Sequence, residues 1–228
     1  MARGGSESPA LAEARKLRRA GHKAKALALL DQTAAGSAAD VVTTRERGLL
    51  ALELGDLEKA RTLLKASIES GPADWRVHSA LGAALAQAGQ QQAAQLEFAR
   101  ALELAPDHPV VLNNLALSYA LDGRHEQAEN LLRRATQSGK APPPHARQNL
   151  ALLLALKGKT EESRKVAEQV LPPSQARANA SYLASLGPAG ASGQQDGTKA
   201  EAQRQLRSAE ARPAGDMAPI YRLGGPAE

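Results

Sequence analysis

Cysteine is absent from this 228-residue chain. That excludes structural disulfides, thiolate metal sites, a cysteine nucleophile and cysteine lipidation within the sequence as written. Aromatic side chains are nearly absent too, at 2%, although hydrophobic residues make up 43% of the chain and many of them are alanine. A conventional core of large side chains is hard to assemble from this composition, whereas helices that approach one another closely need small residues. No apolar run reaches the roughly 18 residues of a membrane helix, so direct membrane insertion is not expected. The stretch MARGGSESPALAEARKLRRAG has no apolar signal-peptide core. The chain reads as cytoplasmic as written, or as one whose start is incomplete.

Signatures of catalysis are missing as well. There is no phosphate-loop pattern, no G-x-G-x-x-G after a strand and no G-x-S-x-G elbow. Five histidines are present, His22, His78, His108, His125 and His145, but no two stand four residues apart and no cysteine accompanies them, so no metal site is expected. Glu161 and Glu162 fall in a first helical turn, where favourable interaction with the helix dipole is reason enough for them. An enzyme needs convergent groups in a pocket. This sequence offers none, and it reads as a non-enzyme without a cofactor.

What the chain does contain is a period. Gly21, Gly55, Gly89 and Gly123 follow one another at 34 residues, as do Ala26, Ala60, Ala94 and Ala128, and Leu30, Leu64, Phe98 and Leu132 keep the same step. Three columns sharing one interval mark a stacked helix–turn–helix repeat, in which each unit buries its apolar face on its neighbours. Within a unit the spacing is helical: Leu81, Leu85 and Ala88, then Ala94, Phe98 and Ala101, recur at three and four residues. The intervening glycine fits the place just past a helix, because it accepts positive φ without a Cβ clash. Pro72 and Pro106 close two units, and Asp74 is placed to cap the next helix.

Unit 75–108, through Leu81, Gly82, Gly89, Ala94, Phe98, Ala101 and Pro106, resembles the tetratricopeptide repeat at nearly every column. Unit 41–74 does so through Gly48, Gly55, Ala60, Leu64 and Pro72, and unit 109–142 through Leu115, Ala116, Tyr119, Gly123, Ala128, Leu132 and Ala135. Unit 144–177 matches at Leu150, Ala151, Leu154 and Gly158, with Ser163 where alanine is usual. One extra residue in the run Pro142–Pro144 places Gly158 35 residues after Gly123. Residues 1–40 are read as a basic N-terminal segment with a degenerate first hairpin (7–40) that keeps Gly21, Ala26 and Leu30. The expected fold is all-α: a right-handed superhelix (solenoid) of about four to five tetratricopeptide helical hairpins, with the array proper over 41–177 and a C-terminal capping helix. Pro172 and Pro173 are expected to stop the last repeat helix, and Ser174 to cap the closing one over 174–186, with Asn179, Tyr182, Leu183 and Leu186 facing inward. Residues 187–228, rich in Gly, Pro, Ser, Gln and charge, read as a disordered tail whose apolar patch is MAPIYRLG (217–224).

The formal net charge is +5, and all of it lies within residues 1–25, where seven basic residues face two acidic ones; the other 203 residues carry 22 of each sign. A basic end can touch an acidic partner, phospholipid headgroups or nucleic acid, or be a solvated face. With so few aromatics there is no platform for base stacking, which makes nucleic acid the weakest class of partner.

The tetratricopeptide resemblance implies ligand contacts from the first helix of each unit, at its second, fifth, sixth, ninth and twelfth or thirteenth places. Those places hold Arg76, Ser79, Ala83 and Gln87 in one unit, and Val110, Asn113, Asn114, Leu117 and Leu121 in the next. In the last unit they hold His145, Gln148, Asn149, Leu152 and Leu156. Asn114 and Asn149 share one place, each ahead of Leu-Ala. A carboxamide carries donors and an acceptor, so a ladder of them can hold an extended peptide whatever its sequence; the alternative is asparagines that are merely solvated. Ala80 and Glu46 stand at that place in the earlier units, and the groove lacks the full set of lysines and arginines of chaperone-tail receptors.

The stretches VVLNNLALSYALDGRHEQAENLLRRA (110–135) and RQNLALLLALKGKTEESRKVAEQVLPPSQARANASYL (147–183), in that order, resemble the C-terminal half of the TadD family of Flp/Tad (tight adherence) pilus assembly proteins. That resemblance implies a non-catalytic accessory protein of a pilus secretion machine, in a family with many exported lipoproteins. This sequence as written has neither a signal peptide nor a cysteine to lipidate. The expected function is a protein–protein interaction scaffold for a Flp-type pilus or secretion apparatus, located at the cell envelope or periplasm if the resemblance holds and the start is incomplete. The alternative is a cytoplasmic co-chaperone or regulatory adaptor binding extended peptides.

Overall fold

A computed structural model describes residues 8–35, 40–137 and 144–177. Ten helices, followed by a further helical stretch from Pro173, run along them: α1 (Pro9–Arg19), α2 (Lys23–Ala35), α3 (Val41–Glu53), α4 (Leu57–Ser70), α5 (Trp75–Gln87), α6 (Gln91–Leu104), α7 (Pro109–Leu121), α8 (His125–Gln137), α9 (Pro144–Leu156) and α10 (Thr160–Ala167). They pair as five hairpins, and the helical fold is the one expected from the period.

Each hairpin turns on the same device. Gly21, Gly55, Gly89, Gly123 and Gly158 all have positive φ, between 76° and 83°. The N–H of the residue after each glycine donates to a carbonyl five residues back, at 2.8 to 3.0 Å, as in His22 to Leu17 and Lys159 to Leu154. The glycine's own N–H reaches back three residues, so two otherwise orphaned carbonyls at the helix end are satisfied. The following helix starts at once. Asp40, Asp56 and Asp74 cap α3, α4 and α5 with their carboxylates, and Ser8 caps α1 with Pro9 in the first turn.

Close approach within a hairpin rests on two small-residue columns. On the second helices, Ala26, Ala60, Ala94 and Ala128 are all fully buried at 0% exposure. Ser163 takes that place in the fifth hairpin, and its hydroxyl donates to the Ala151 carbonyl at 2.7 Å, so the polar atom costs no unpaired group. On the first helices the facing column is Ala14, Gly48, Gly82, Ala116 and Ala151. A Cβ on Gly82 would meet the Phe98 ring at 2.8 Å, and one on Gly48 would meet Leu64 Cγ at 2.9 Å. Large residues on α4 and α6 thus occupy the volume a side chain would have taken.

The hairpins stack through their first helices: α3, α5, α7 and α9 touch in series, while α2, α4, α6 and α8 each pack on the first helix of the next hairpin. The first helices therefore form the inner tier, whose unpacked side is the groove. α10 ends at Ala167, followed by hydrogen-bonded turns through Gln169 and Val170 rather than by helix up to the prolines. Helix resumes at Pro173, so Ser174 lies within the first turn and is not its cap. Proline suits that position because its missing N–H would have had no helical partner. Ala176 packs with Ala151 and Ala167 and covers part of the fifth hairpin. Asn179, Tyr182, Leu183, Leu186 and the segment 187–228 lie outside the described residues.

Replacing Gly82 by valine is expected to cost about 1–3 kcal/mol through overpacking against Phe98. Gly89→Val should cost about 1 kcal/mol or more through its positive φ. Chemical denaturation followed by circular dichroism measures both. The pair Gly82→Val with Phe98→Leu should lose less than the sum of its parts, whereas Gly89→Val with Phe98→Leu should be additive.

Candidate functional site

The inner tier does not present all the residues that the repeat places nominate. Arg76 is exposed, and Ala83, Gln87, Asn114, His145 and Gln148 are half-buried. Ser79, Asn113, Leu117, Asn149 and Leu152 are buried, the last four at 1% exposure. The fifth and sixth places of a first helix are thus largely covered by the neighbouring hairpin.

The asparagines show how. Asn149 Nδ2 donates to Asn113 Oδ1 at 2.9 Å, and Asn113 Nδ2 points to Asn114 Oδ1 at 3.3 Å. The chain of three carboxamides bridges α9 to α7 and comes out to the groove at Asn114. Asn149 Oδ1 is buried without a hydrogen-bond partner among the described residues. As placed, Asn149 binds the array to itself and Asn114 alone faces outward.

Part of the basic N-terminal segment is also spent internally, while Lys16, Arg19 and Lys25 stay exposed. Arg18 pairs with Glu46 at 2.6 Å and with Glu53, Lys23 stands 3.5 Å from Glu53, and Arg15 stands 3.9 Å from Glu46. Glu46, the residue at the asparagine place of unit 41–74, is buried at 4% exposure and serves as the acceptor for α1. Cations that could have served an acidic surface thus join the first hairpin to the second. Asp31 of α2 adds to that interface, holding Arg47 at 2.7 Å and also Lys59, and at the next interface Arg45 of α3 holds Asp74, the cap of α5, at 2.6 Å.

At the other end, Glu129 of α8 is the hub. Lys157, Lys159 and Arg133 donate to it at 2.6, 2.8 and 2.8 Å, and Arg133 also reaches Glu162 of α10 at 2.5 Å. Burial by itself would raise the Glu129 carboxyl; the three cationic donors outweigh burial and hold its pKa down at about 2.

A cleft of about 380 Å³ opens where the N-terminal ends of α3 and α5 meet the C-terminal ends of α4 and α6. Val42, Val77, Trp75 and Leu104 give it apolar walls, and Arg45, Asp74 and Arg76 give it charge. Val42 and Leu104 remain 38% and 44% exposed. The Arg76 guanidinium lies 4.9 Å over the Trp75 ring, and Trp75 in turn packs against His108 with ring centroids 3.9 Å apart. Of these residues the sequence reading nominated Arg76 alone. The rule that found it would also have found Val42 and Arg45 at the second and fifth places of unit 41–74, and the single tryptophan of the chain marks the spot.

Two predictions separate structural from exposed roles. Asn149→Ala leaves the Asn113 acceptor buried and unpaired, so it should cost about 1 kcal/mol or more, while Asn114→Ala should stay within about 0.5 kcal/mol; denaturation midpoints decide. For Glu129, the depressed folded pKa contributes stability above the unfolded carboxyl value of about 4.3. That contribution falls away as pH drops from about 5 toward 2. Glu129→Gln should be less stable than the natural sequence by about 1–3 kcal/mol at pH 7, and the gap should close as pH falls to 3 and below.

Family models for the tetratricopeptide repeat match residues 45–109 and 97–130. The TPR repeat-containing protein PA4299 of Pseudomonas aeruginosa is 36% identical over 87 residues, which are 38% of this chain and 36% of that protein. The match thus spans little more than a third of the relative's length. Among solved structures, MamA (residue 41 to its end) from Desulfovibrio magneticus RS-1 aligns with a TM-score of 0.62 at 19% identity, over 74% of this chain and 94% of that one. TTC0263, a thermophilic tetratricopeptide protein of Thermus thermophilus, aligns with a TM-score of 0.61 at 20% identity, over 77% and 97%. YrrB, a tetratricopeptide protein with an unusual peptide-binding site, aligns with a TM-score of 0.60 at 19% identity, over 78% and 92%. At these identities the likeness is one of fold. Together with the repeated glycine turns and the paired small-residue columns, it gives the described hairpins a tetratricopeptide-type fold, with tetratricopeptide repeats matched over residues 45–130.

Proposed function

We propose that the protein is a non-catalytic protein–protein interaction scaffold that acts as an accessory or assembly factor of a Flp-type (Tad) pilus or secretion apparatus. The observation that carries the scaffold reading is the inner tier itself. Four first helices in series present one surface, on which Arg76, Gln87, Asn114, His145 and Gln148 are spread over three hairpins. Such a spread suits contact with a long segment better than reaction at one point. The finer assignment is supported by the order and wording of residues 110–135 and 147–183, above all the Leu-Pro-Pro-Ser-Gln stretch and the Asn-Ala-Ser-Tyr-Leu ending.

A second reading, a cytoplasmic adaptor for extended peptides, is favoured by the exposed end of the carboxamide chain at Asn114. YrrB, which shares the fold, carries a peptide-binding site.

Crosslinked affinity capture from the native cell, with the detergent-solubilised envelope included, tests the two against each other. Recovery of the pilus secretin, motor ATPase or platform proteins is the expected result. Recovery of soluble chaperones or regulators alone would favour the adaptor, and a strain lacking the protein that still assembles normal pili would count against the first reading. For either, Asn114→Ala should weaken capture of the groove partner; unchanged affinity would remove Asn114, the one exposed end of the carboxamide chain, from the binding surface.

A further inference from the structure

The cleft between α3 and α5 has charge left over. Asp74 has both carboxylate oxygens engaged: Oδ1 accepts the Arg76 backbone N–H at 2.9 Å and Oδ2 accepts Arg45 Nη1 at 2.6 Å. The Arg76 side chain stands 3.6 Å from Oδ1, too far for a good hydrogen bond, and is 62% exposed. Stacking on Trp75 holds its guanidinium at the cleft without using its donors. The arrangement thus leaves one preoriented guanidinium beside apolar walls at Val42, Val77 and Leu104.

A guanidinium held in this way is matched by a carboxylate, which it can bind through two parallel hydrogen bonds. The apolar walls, of which Val42 and Leu104 are exposed and Val77 is buried, are matched by an aliphatic side chain, and the volume is within the range of sites that take small groups. Resting on the interaction-scaffold reading, we propose that this cleft docks an acidic segment of a partner protein. An aliphatic side chain of the partner packs against Val42, Val77 and Leu104, and a neighbouring carboxylate sits on Arg76. Charge complementarity carries the choice of partner: the cleft holds two arginines against one aspartate, and a basic or neutral segment would leave that excess unmatched. The site would thus set which segment enters the groove, at the end of the inner tier opposite the glycine turns.

Trp75 is the only tryptophan, so its fluorescence reports from the cleft itself. The full chain is titrated with acetyl-Leu-Glu-Leu-Glu-amide and with its neutral counterpart acetyl-Leu-Gln-Leu-Gln-amide, following Trp75 emission and, in parallel, heat by calorimetry. The expected result is saturable binding of the glutamate peptide, at least tenfold weaker binding of the glutamine peptide, and the same loss in Arg76→Gln. Arg76→Gln changes an exposed residue, so its circular dichroism should match the natural chain. Equal binding of the two peptides, unchanged binding in Arg76→Gln, or no saturable signal overturns the assignment. A shift of Trp75 emission in Ile220→Asp/Tyr221→Asp without any peptide would make the chain's own C-terminal residues the occupant, and also overturns it. Partner capture lost in Asn114→Ala but kept in Arg76→Gln sinks the cleft and leaves the scaffold reading. Peptide binding at Trp75 in a protein that captures no partner does the reverse.

Discussion

Phe98 packs against the backbone of α5 at Gly82, where a Cβ would stand 2.8 Å from its ring. The contact is repeated along the chain in other sizes: Leu64 over Gly48, with Ala14, Ala116 and Ala151 at the same place in the remaining hairpins. Because the two helices of a hairpin approach this closely, the second helix must also show a small residue, and the alanine column follows. The connection must then reverse within a few residues, which places glycine at positive φ in all five turns. A chain with a single phenylalanine and a single tryptophan can fold because its core is made by helix proximity rather than by bulk.

Stacking one hairpin on the next poses a different problem. Small residues serve contacts within a hairpin, but the faces between hairpins carry buried polar and charged groups such as Glu46, Glu129, Asn113 and Asn149. Burying these groups alone would be costly, and each pair or network must offset that desolvation. Glu46 has Arg18, Glu129 has three cationic donors, and Asn149 has Asn113. These contacts contribute less to net stability than their number implies, yet they fix which hairpin face meets which. Apolar faces made of alanine and leucine could slide by a turn; a glutamate that must find two lysines of the next hairpin, Lys157 and Lys159, cannot.

The division between what could be read from the sequence and what could not follows these two kinds of contact. Turns and hairpin cores are local, set by residues within one 34-residue unit, and three columns announced them. The first hairpin is complete despite its few matching columns, because Ala14 supplies the small residue of the first-helix column and Leu11 is buried beside it where the pattern requires no signature residue. Surface exposure is not local. Ser79, Leu117 and Leu152 occupy places that face a groove in the repeat pattern, yet their neighbours in the stack cover them. Asn149 and Asn114 share a place in the repeat but differ in exposure: Asn149 is buried against Asn113 of the preceding hairpin, whereas Asn114 is half-buried. Likewise, seven cations in 25 residues look like one surface until the carboxylates of α3, some 30 residues later, are brought beneath three of them, Arg15, Arg18 and Lys23. A single repeat cannot show what its neighbour will cover.

Selectivity on the inner tier depends on which charges the ion pairs of the stack leave available. In the N-terminal half Arg18, Arg45, Arg47 and Lys59 are engaged with Glu46, Glu53, Asp31 and Asp74, and near the C-terminal end Lys157, Lys159 and Arg133 are engaged with Glu129. Between these two ionic ends the inner tier is lined by alanine, leucine and carboxamides, which bind weakly and with little preference. Discrimination therefore falls to side chains that the stack orients but does not consume, and Arg76 is one, stacked on a ring and only loosely paired with Asp74 at 3.6 Å. Holding a cation by stacking keeps it in place at little electrostatic cost and leaves its hydrogen-bonding fork directed outward. A repeat array can acquire a specific partner in this way without altering the columns that fold it, because the second place of a first helix lies outside all of them.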